Sequence, residues 1–248
     1  MDKGDLQARL AAVRERMAAA AQSAGRAVEQ VRLVAASKTV APSVMAELAT
    51  LGVTCFGENR VEEAEAKLPA VRELLGESAF RACCWCLIGH LQSRKAGRAL
   101  AVFDELHTVD SLHLAERLDR LAANRAWPVP ILLEVNTSGE ATKFGLSAAG
   151  WPDDRPEAAA LLATVESILA LPRLQVRGLM TVGPLVADPE LARPAYRRLR
   201  SLRDALAERW PEHAWEELSM GMSDDYTVAI EEGSTMVRLG RALFGPRG

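Results

Sequence analysis

Apolar residues recur along this chain with two spacings, one typical of helices and one of strands. The first helical pattern covers residues 6–20, where apolar side chains are three or four positions apart, at Leu6, Leu10, Val13 and Met17. Gly25 follows at a place where helices commonly end. After that, short apolar runs predict strands over residues 32–37, 53–58, 83–89, 105–109, 130–136, 175–182, 214–220 and 235–240.

Helical patterns lie between these runs. They cover residues 60–75, 111–123, 157–170 and 189–208, and Asp110 or Ser111 could cap the second of them. Strands that alternate with helices predict right-handed βαβ units and a parallel sheet. Eight such strands in 248 residues favour an α/β fold with a single (β/α)8 TIM barrel, preceded by an extra N-terminal helix. We expect one domain over residues 1–248, and an open doubly wound sheet is the alternative.

Composition narrows the function classes. The chain is 49% hydrophobic and 25% charged, with a formal net charge of -3, so it has no basic footprint for nucleic acid. The opening residues MDKGDLQARL lack the apolar core of a signal peptide. No apolar run approaches the roughly 18 residues that span a bilayer. We expect a cytoplasmic protein that binds neither nucleic acid nor membranes.

The spacing of the cysteines and histidines along the sequence does not predict a metal site. Three of the four cysteines crowd into CCWCLIG, and the paired Cys-x-x-Cys spacing of zinc sites is missing. We therefore expect Cys55, Cys83, Cys84 and Cys86 to fill a buried strand as small apolar side chains. The four histidines form no ligand set, and His107 and His113 are expected in exposed loops.

Candidate chemistry begins at LVAASKT, residues 33–39, where a buried-looking strand ends on Lys38. Lysine is rarely buried unless it is paired or chemically used, although a solvated residue at a loop entrance is the plain alternative. In a barrel, functional groups sit at the C-terminal ends of the strands, where polar residues and glycines collect here.

The loops after the last two predicted strands suit a phosphate group. Ser223 could cap the helix that follows it, and its hydroxyl and nearby N–H groups could hold an anion. Gly240 would let the backbone approach closely, and Arg238 lies on the same strand face. A capped surface helix and a structural glycine are the alternative. A lysine together with a phosphate cradle suits pyridoxal 5′-phosphate, an aldehyde that bonds an amine.

Seven motifs between residues 33 and 245 carry a specific resemblance. They are LVAASKT, FGENRVEEAEAK, IGHLQSRK, HTVDS, NTSGEATKFG, RGLMTVG and LSMGMSDDYTVAIEEGSTMVRLGRALFG. In these motifs the chain resembles the pyridoxal phosphate homeostasis protein family, which is related to the N-terminal barrel of alanine racemase. It departs from the usual family motifs in the third loop, at Cys86, Leu87, His90 and Arg94.

The resemblance implies roles for six residues. Lys38 would form the Schiff base, Arg238 would face the pyridine nitrogen, and Asn59 would lie near the ring. Ser223, Gly240 and the backbone of Arg241 would hold the phosphate.

The resemblance leaves two functional classes open, an amino-acid racemase-like enzyme and a carrier. A two-base racemase needs a second proton donor, which is a tyrosine from another domain in alanine racemases. Here the chain ends at ALFGPRG with no room expected for that domain, and Tyr196 and Tyr226 are expected to be structural. Arg238 would also weaken the ring as an electron sink. We therefore expect a monomeric carrier without catalytic residues that buffers the cofactor and delivers it to apo-enzymes.

Overall fold

The computed structural model describes residues 3–245 and contains nine strands in that range. In chain order they are β1 Arg32–Ala36, β2 Cys55–Glu58, β3 Cys84–Leu87, β4 Glu105–Val109, β5 Val129–Asn136, β6 Leu146–Ser147, β7 Leu174–Met180, β8 Glu217–Ser219 and β9 Met236–Leu239. All eight predicted strands are present. Most are shorter than predicted, and only the two-residue strand β6 was not expected.

Strand pairing closes these strands into a barrel. Neighbours run in the order β4-β3-β2-β1-β9-β8-β7-β5, every pairing is parallel, and β4 also pairs with β5. Strand β6 only extends the end of β5. The fold is therefore the predicted eight-stranded parallel TIM barrel, and the open-sheet alternative is wrong.

Ten α-helices occur between residues 3 and 245. They are α1 Lys3–Ser23, α2 Pro42–Thr50, α3 Val61–Leu75, α4 Glu77–Arg81, α5 Ala96–Val102, α6 Leu112–Leu121, α7 Arg155–Leu169, α8 Arg193–Arg209, α9 Tyr226–Glu231 and α10 Arg241–Phe244. The longer predicted helices are all found. The sequence analysis did not delimit α2, α4, α5 and α10, which have nine residues or fewer and carry a short periodic signal.

Two helix boundaries agree with the sequence signals. Ser111, one of the two candidates, caps α6 by accepting a hydrogen bond from the backbone N–H of Leu114 at 3.3 Å. Gly25 adopts φ +66° just after α1, a conformation that glycine reaches without steric cost.

The barrel interior holds a small apolar cluster that is separate from the larger core between strands and helices. The cluster consists of Val34, Cys55, Cys86, Leu132, Met180 and Met236. Because side chains alternate along a strand, these residues identify the inward-facing positions of each strand. The inward-facing set on β9 therefore continues from Met236 to Arg238.

Two arginines and two glutamates close the N-terminal end of the barrel, and we refer to these four residues as the charged floor. Arg32 lies 3.4 Å from Glu105 and 3.0 Å from Glu217. Arg177 lies 3.5 Å and 4.0 Å from the same two carboxylates. Burial disfavours ionisation of Glu105, but His107 and the two arginines lower its pKa to about 2.

The expectation for His107 is wrong. It lies in the middle of β4, where all five residues are buried, and its own side chain is fully inaccessible. The reason is that β4 is covered on both faces, which a short run such as ELHTV does not reveal. His113 is exposed as expected, but it lies in α6 and not in a loop. Separately, every helix within residues 3–245 is too short or too polar to cross a bilayer.

Candidate cofactor site

Lys38 lies just beyond the C-terminal end of β1 and is half-buried. The strand itself ends at Ala36, one residue before the end of the predicted range 32–37. Thr39 follows with φ +64°, the only positive φ outside glycine in the described residues, so the chain turns sharply after the lysine. This turn is held by the N–H of Thr39, which donates to the carboxylate of Glu63 on α3.

A buried polar network supports the residue before Lys38. Lys67 of α3 donates to the carbonyl oxygen of Ser37 at 2.8 Å and lies 2.7 Å from the carboxylate of Glu58. The hydroxyl of Ser37 donates to the same carboxylate at 2.6 Å. Burial raises the pKa of Glu58, and the hydrogen bonds from Lys67 and Ser37 oppose that rise. The network fixes the backbone at the end of β1, and the sequence analysis missed it, although Glu63 and Lys67 stand one helical turn apart.

Asn59 follows β2 and shares a cleft of about 470 Å³ with Lys38. Its Oδ1 atom is buried and has no hydrogen-bond partner in the part of the chain that the structure describes. The loop after β3 approaches closely, since a Cβ atom at Gly89 would lie only 2.3 Å from the carbonyl oxygen of Asn59. Lys38 and Asn59 therefore line the same cleft.

Arg238 extends from β9 into the barrel and is 5% exposed. Its guanidinium donates to the carbonyl and hydroxyl oxygens of Ser219, at 2.7 and 2.8 Å, and to the carbonyl oxygen of Thr181 at 2.7 Å. These contacts hold the guanidinium in a defined orientation. Burial lowers the pKa of Arg238, while Tyr196, Glu134 and Asp225 oppose that shift electrostatically.

Ser223 does not cap the helix that follows it, which corrects the prediction. Asp225 occupies the N-cap position of α9, but its carboxylate makes no hydrogen bond to the helix and instead accepts from the N–H of Met222, before the helix, at 2.6 Å. The hydroxyl of Ser223 instead accepts from the N–H of Ala242 at 3.1 Å. Three consecutive residues in SDD can act as caps, so the sequence could not distinguish them. Ser223 thus joins the loop after β8 to the turn after β9.

Gly240 and Arg241 form that turn. A Cβ atom at Gly240 would lie 3.4 Å from the carbonyl oxygen of Ala36, so the glycine leaves space beside the end of β1. Arg241 begins α10, and the first N–H groups of a helix have no partner within it. The exposed Arg241 side chain pairs with Asp224.

Glu134 is a polar residue of the interior that the sequence analysis missed. It lies on β5 two residues after the inward-facing Leu132 and is 6% exposed. Its Oε2 atom has no hydrogen-bond partner among residues 3–245. Burial and the nearby charge of Asp110 raise its pKa to about 7, against the opposing effect of Arg238. The sequence feature that could have identified it is the presence of a glutamate within the apolar run PILLEVN.

All six candidate residues belong to four adjacent strands and the loops that follow them. The order β2-β1-β9-β8 places Asn59, Lys38, the Arg238–Arg241 segment and Ser223 along one edge of the barrel. The donor set includes an amine, a hydroxyl and the backbone N–H of Arg241 at the start of α10, beside the space that Gly240 leaves. These groups fit a phosphorylated aldehyde such as pyridoxal 5′-phosphate.

Comparison with known proteins gives the family. The model of the alanine racemase N-terminal domain matches residues 8–248. The pyridoxal phosphate homeostasis protein of Aquifex aeolicus is 39% identical over 239 residues, which are 96% of this chain and 97% of the relative. The chain belongs to the pyridoxal phosphate homeostasis protein family. The resemblance in the sequence motifs is thereby confirmed.

Solved structures agree with this assignment. PipY of Synechococcus elongatus PCC7942, solved with pyridoxal phosphate bound, is 33% identical and superposes with a TM-score of 0.79, over 97% of this chain and 100% of PipY. Alanine racemase of Clostridium difficile shares the fold at 16% identity and a TM-score of 0.70, over 98% of this chain and 60% of the racemase. This chain and the racemase therefore share the same barrel fold.

Proposed function

We propose that this protein binds pyridoxal 5′-phosphate through Lys38 and acts in its homeostasis, by buffering and delivering the cofactor without robust catalysis. The observation that carries the proposal is the adjacency of β2, β1, β9 and β8, which gathers all six candidate residues at one edge. The structure of the related protein PipY with pyridoxal phosphate bound also supports the proposal.

Lys38 is the proposed Schiff-base lysine. Its backbone is held by the network of Ser37, Glu58 and Lys67 on one side and by the Thr39 turn on the other. A fixed backbone limits the positions that the amine can reach, which favours one orientation of the bound aldehyde. Asn59 lines the same cleft and is available to contact the ring.

The phosphate is proposed to lie between the loops that follow β8 and β9. Ser223 offers a hydroxyl, Gly240 offers space, and Arg241 offers a backbone N–H at the start of α10. Charged oxygens accept hydrogen bonds more strongly than neutral ones, so this set is suited to an anion.

Arg238 is proposed to face the pyridine nitrogen. When bound, the cofactor supplies an aldehyde for amines and a ring that can withdraw electrons. A guanidinium is always a donor, so Arg238 keeps the nitrogen unprotonated and weakens that withdrawal. This feature favours holding the cofactor over stabilising a carbanion.

The tyrosines also argue against a two-base mechanism. The hydroxyl of Tyr196 donates to Asp225 at 2.7 Å, and the side chain is fully buried. Tyr226 is 4% exposed and packs in the outer core. Burial raises the pKa of both phenols. Neither tyrosine is placed to exchange protons with a substrate in the cleft.

Borohydride reduction tests the binding part of the proposal. We expect the purified, loaded protein to lose its visible absorption on reduction, and peptide mass mapping to find the pyridoxyl group on Lys38. Lys38→Ala should lose the label. Lys95→Ala is the matched control, because Lys95 lines the same cleft and pairs with Glu62, and it should keep the label. A label on Lys67 or Lys95 alone would refute the assignment.

Turnover and transfer assays distinguish a carrier from a racemase-like enzyme. The enzyme is the alternative because the matching family model is that of the alanine racemase N-terminal domain. We expect the loaded protein to activate an apo-enzyme that depends on pyridoxal phosphate, and to give no sustained racemisation, transamination or decarboxylation of the common amino acids. Turnover of roughly 1 per second or more that disappears in Lys38→Ala would establish the enzyme instead.

Three further parts of the proposal concern the protein in the cell. We propose that residues 1–248 act as one cofactor-binding domain, that the working unit is a monomer, and that it operates in the cytoplasm on apo-enzymes. Sedimentation at equilibrium tests the monomer, and a mass of two or more chains would exclude it.

A further inference from the structure

Three of the four cysteines converge inside the barrel, at the end opposite the candidate cofactor site. The distance between the sulfur atoms of Cys55 and Cys86 is 3.5 Å, and that between Cys84 and Cys86 is 3.6 Å. All three sulfur atoms lie within 4.8 Å of one another. Cys55 and Cys86 are almost completely buried, and Cys84 is partly exposed. The cofactor proposal uses none of them.

Strand register explains the convergence. Cys55 begins β2 and stands directly beside Cys84, which begins β3. Cys86 is two residues further along β3, so it shares the face of Cys84, while Cys83 points the other way. Cys83 packs in the outer core and contacts the carbonyl oxygen of Ala79. The cluster therefore results from the pairing of β2 with β3. A search of the sequence for Cys-x-x-Cys motifs does not detect it.

A carboxylate completes the cluster on the next strand. The Oε2 atom of Glu105, at the start of β4, lies 3.7 Å from the sulfur of Cys86. The same oxygen is 3.0 Å from the Nε2 atom of His107, and Oε1 faces Arg32 and Arg177 of the charged floor. These contacts fix the orientation of the Glu105 carboxylate, with its Oε2 atom toward the sulfur of Cys86. Its other contacts are those typical of a metal-binding carboxylate.

We propose that Cys55, Cys84, Cys86 and Glu105 form a binding site for one zinc-class cation. Zinc sites in proteins are tetrahedral, with Zn–S distances of about 2.3 Å, which places two sulfur ligands about 3.8 Å apart. The observed sulfur separations of 3.5 and 3.6 Å are close to that value. The three sulfur atoms already face one another, whereas the Glu105 carboxylate lies beside Cys86 and has to move toward the other two sulfur atoms to complete the site.

Charge balance supports a divalent ion. Three thiolates and the carboxylates of Glu105 and Glu217 carry five negative charges, and a doubly positive ion together with Arg32 and Arg177 reduces this total to one. A buried charge is tolerated only where it is paired in this way. Cys84, partly exposed at the edge of the cluster, provides the route of entry.

A disulfide accounts for less of the arrangement. It would use two sulfur atoms and leave the third thiol, and the Glu105 oxygen beside Cys86, without a role. Three convergent sulfur atoms with a hydrogen-bonded carboxylate beside one of them instead suit a tetrahedral ion.

Metal titration of the reduced wild-type protein tests the proposal without any variant. Protein stripped of metal should take up one equivalent of Zn²⁺ in competition with a chromophoric chelator. Co²⁺ in the same site should give a thiolate-to-metal charge-transfer band and the visible bands of tetrahedral cobalt. Failure to bind one equivalent, or a cobalt spectrum without sulfur ligation, overturns the proposal.

Matched cysteine variants locate the site. Cys84→Ser, the mildest change because the residue is partly exposed, should weaken Zn²⁺ binding by about tenfold or more. Cys83→Ser, one residue away on the opposite face, should bind like the wild type. Equal affinity in both variants overturns the assignment. The pyridoxyl label on Lys38 should be unchanged in Cys84→Ser, so this result and the cofactor proposal can fail independently.

Discussion

The ammonium group of Lys67 lies 2.7 Å from the carboxylate of Glu58 in the wall of the barrel, with side-chain exposures of 8% and 1%. Removing one member of a buried ion pair leaves the other charge without compensation. We expect Lys67→Met to destabilise the protein by about 3–5 kcal/mol. Urea unfolding of the wild type and the variant measures this difference.

A surface pair and a double variant are the controls for Lys67. Lys95→Met breaks an exposed pair with Glu62 and should cost less than about 1 kcal/mol. Adding Glu58→Gln to Lys67→Met removes the uncompensated charge and should recover part of the loss. Equal costs for the two lysine variants would contradict the view that burial makes the Glu58 pair important.

Ser223→Ala should weaken retention of pyridoxal 5′-phosphate by about 1.5–3 kcal/mol, the usual contribution of a hydrogen bond to a charged group. The substitution also removes the acceptor for the N–H of Ala242. Equilibrium dialysis measures the affinity, and Ser201→Ala, on the exposed side of α8, is the control. Unchanged affinity in Ser223→Ala would exclude the phosphate role.

Arg238→Glu should change the absorption spectrum of the bound cofactor, because a carboxyl group would let the ring nitrogen hold a proton. Arg238→Lys is the control, since it keeps the positive charge but loses the forked hydrogen bonds to Ser219 and Thr181. Both variants should lose stability. Only the glutamate should alter the spectrum, and identical spectra would mean that residue 238 does not contact the ring.

Glu134→Gln should change how stability depends on pH. The pKa of Glu134 rises from 4.5 to about 7 on folding, so the folded protein holds this proton more tightly than the unfolded chain does. The contribution of the protonated carboxyl is complete below pH 4.5 and is lost as pH rises through about 7. Glutamine does not ionise.

Relative to Glu134→Gln, the cofactor-free wild type should therefore lose roughly 3 kcal/mol of unfolding free energy across that interval. Urea unfolding at several pH values measures the difference between the two proteins. A difference that stays constant with pH would show that Glu134 is already ionised in the folded state.

The barrel could be predicted from the sequence because each strand carries its own apolar run and each long helix its own stripe. Ser111 and Gly25 were likewise visible, since capping chemistry is local. The position of Lys38 beyond a buried strand followed from the same pattern.

Features that depend on strand register could not be predicted. Cys55 and Cys84 become neighbours only through the pairing of β2 with β3. The burial of His107 depends on what covers β4. The contact between Ser223 and Ala242 joins a loop to the first turn of α10, and the separation of these residues along the chain does not indicate their distance in space.

The contacts of the charged floor can form only late during synthesis of the chain. Arg32 leaves the ribosome early, but its two partners, Glu105 and Glu217, follow 73 and 185 residues later. Contacts of such long sequence separation form slowly because the intervening chain must first be ordered. The floor is complete only when β8 has been translated, so a nascent chain that ends between Arg177 and Glu217 carries both arginines but only one of the two carboxylates.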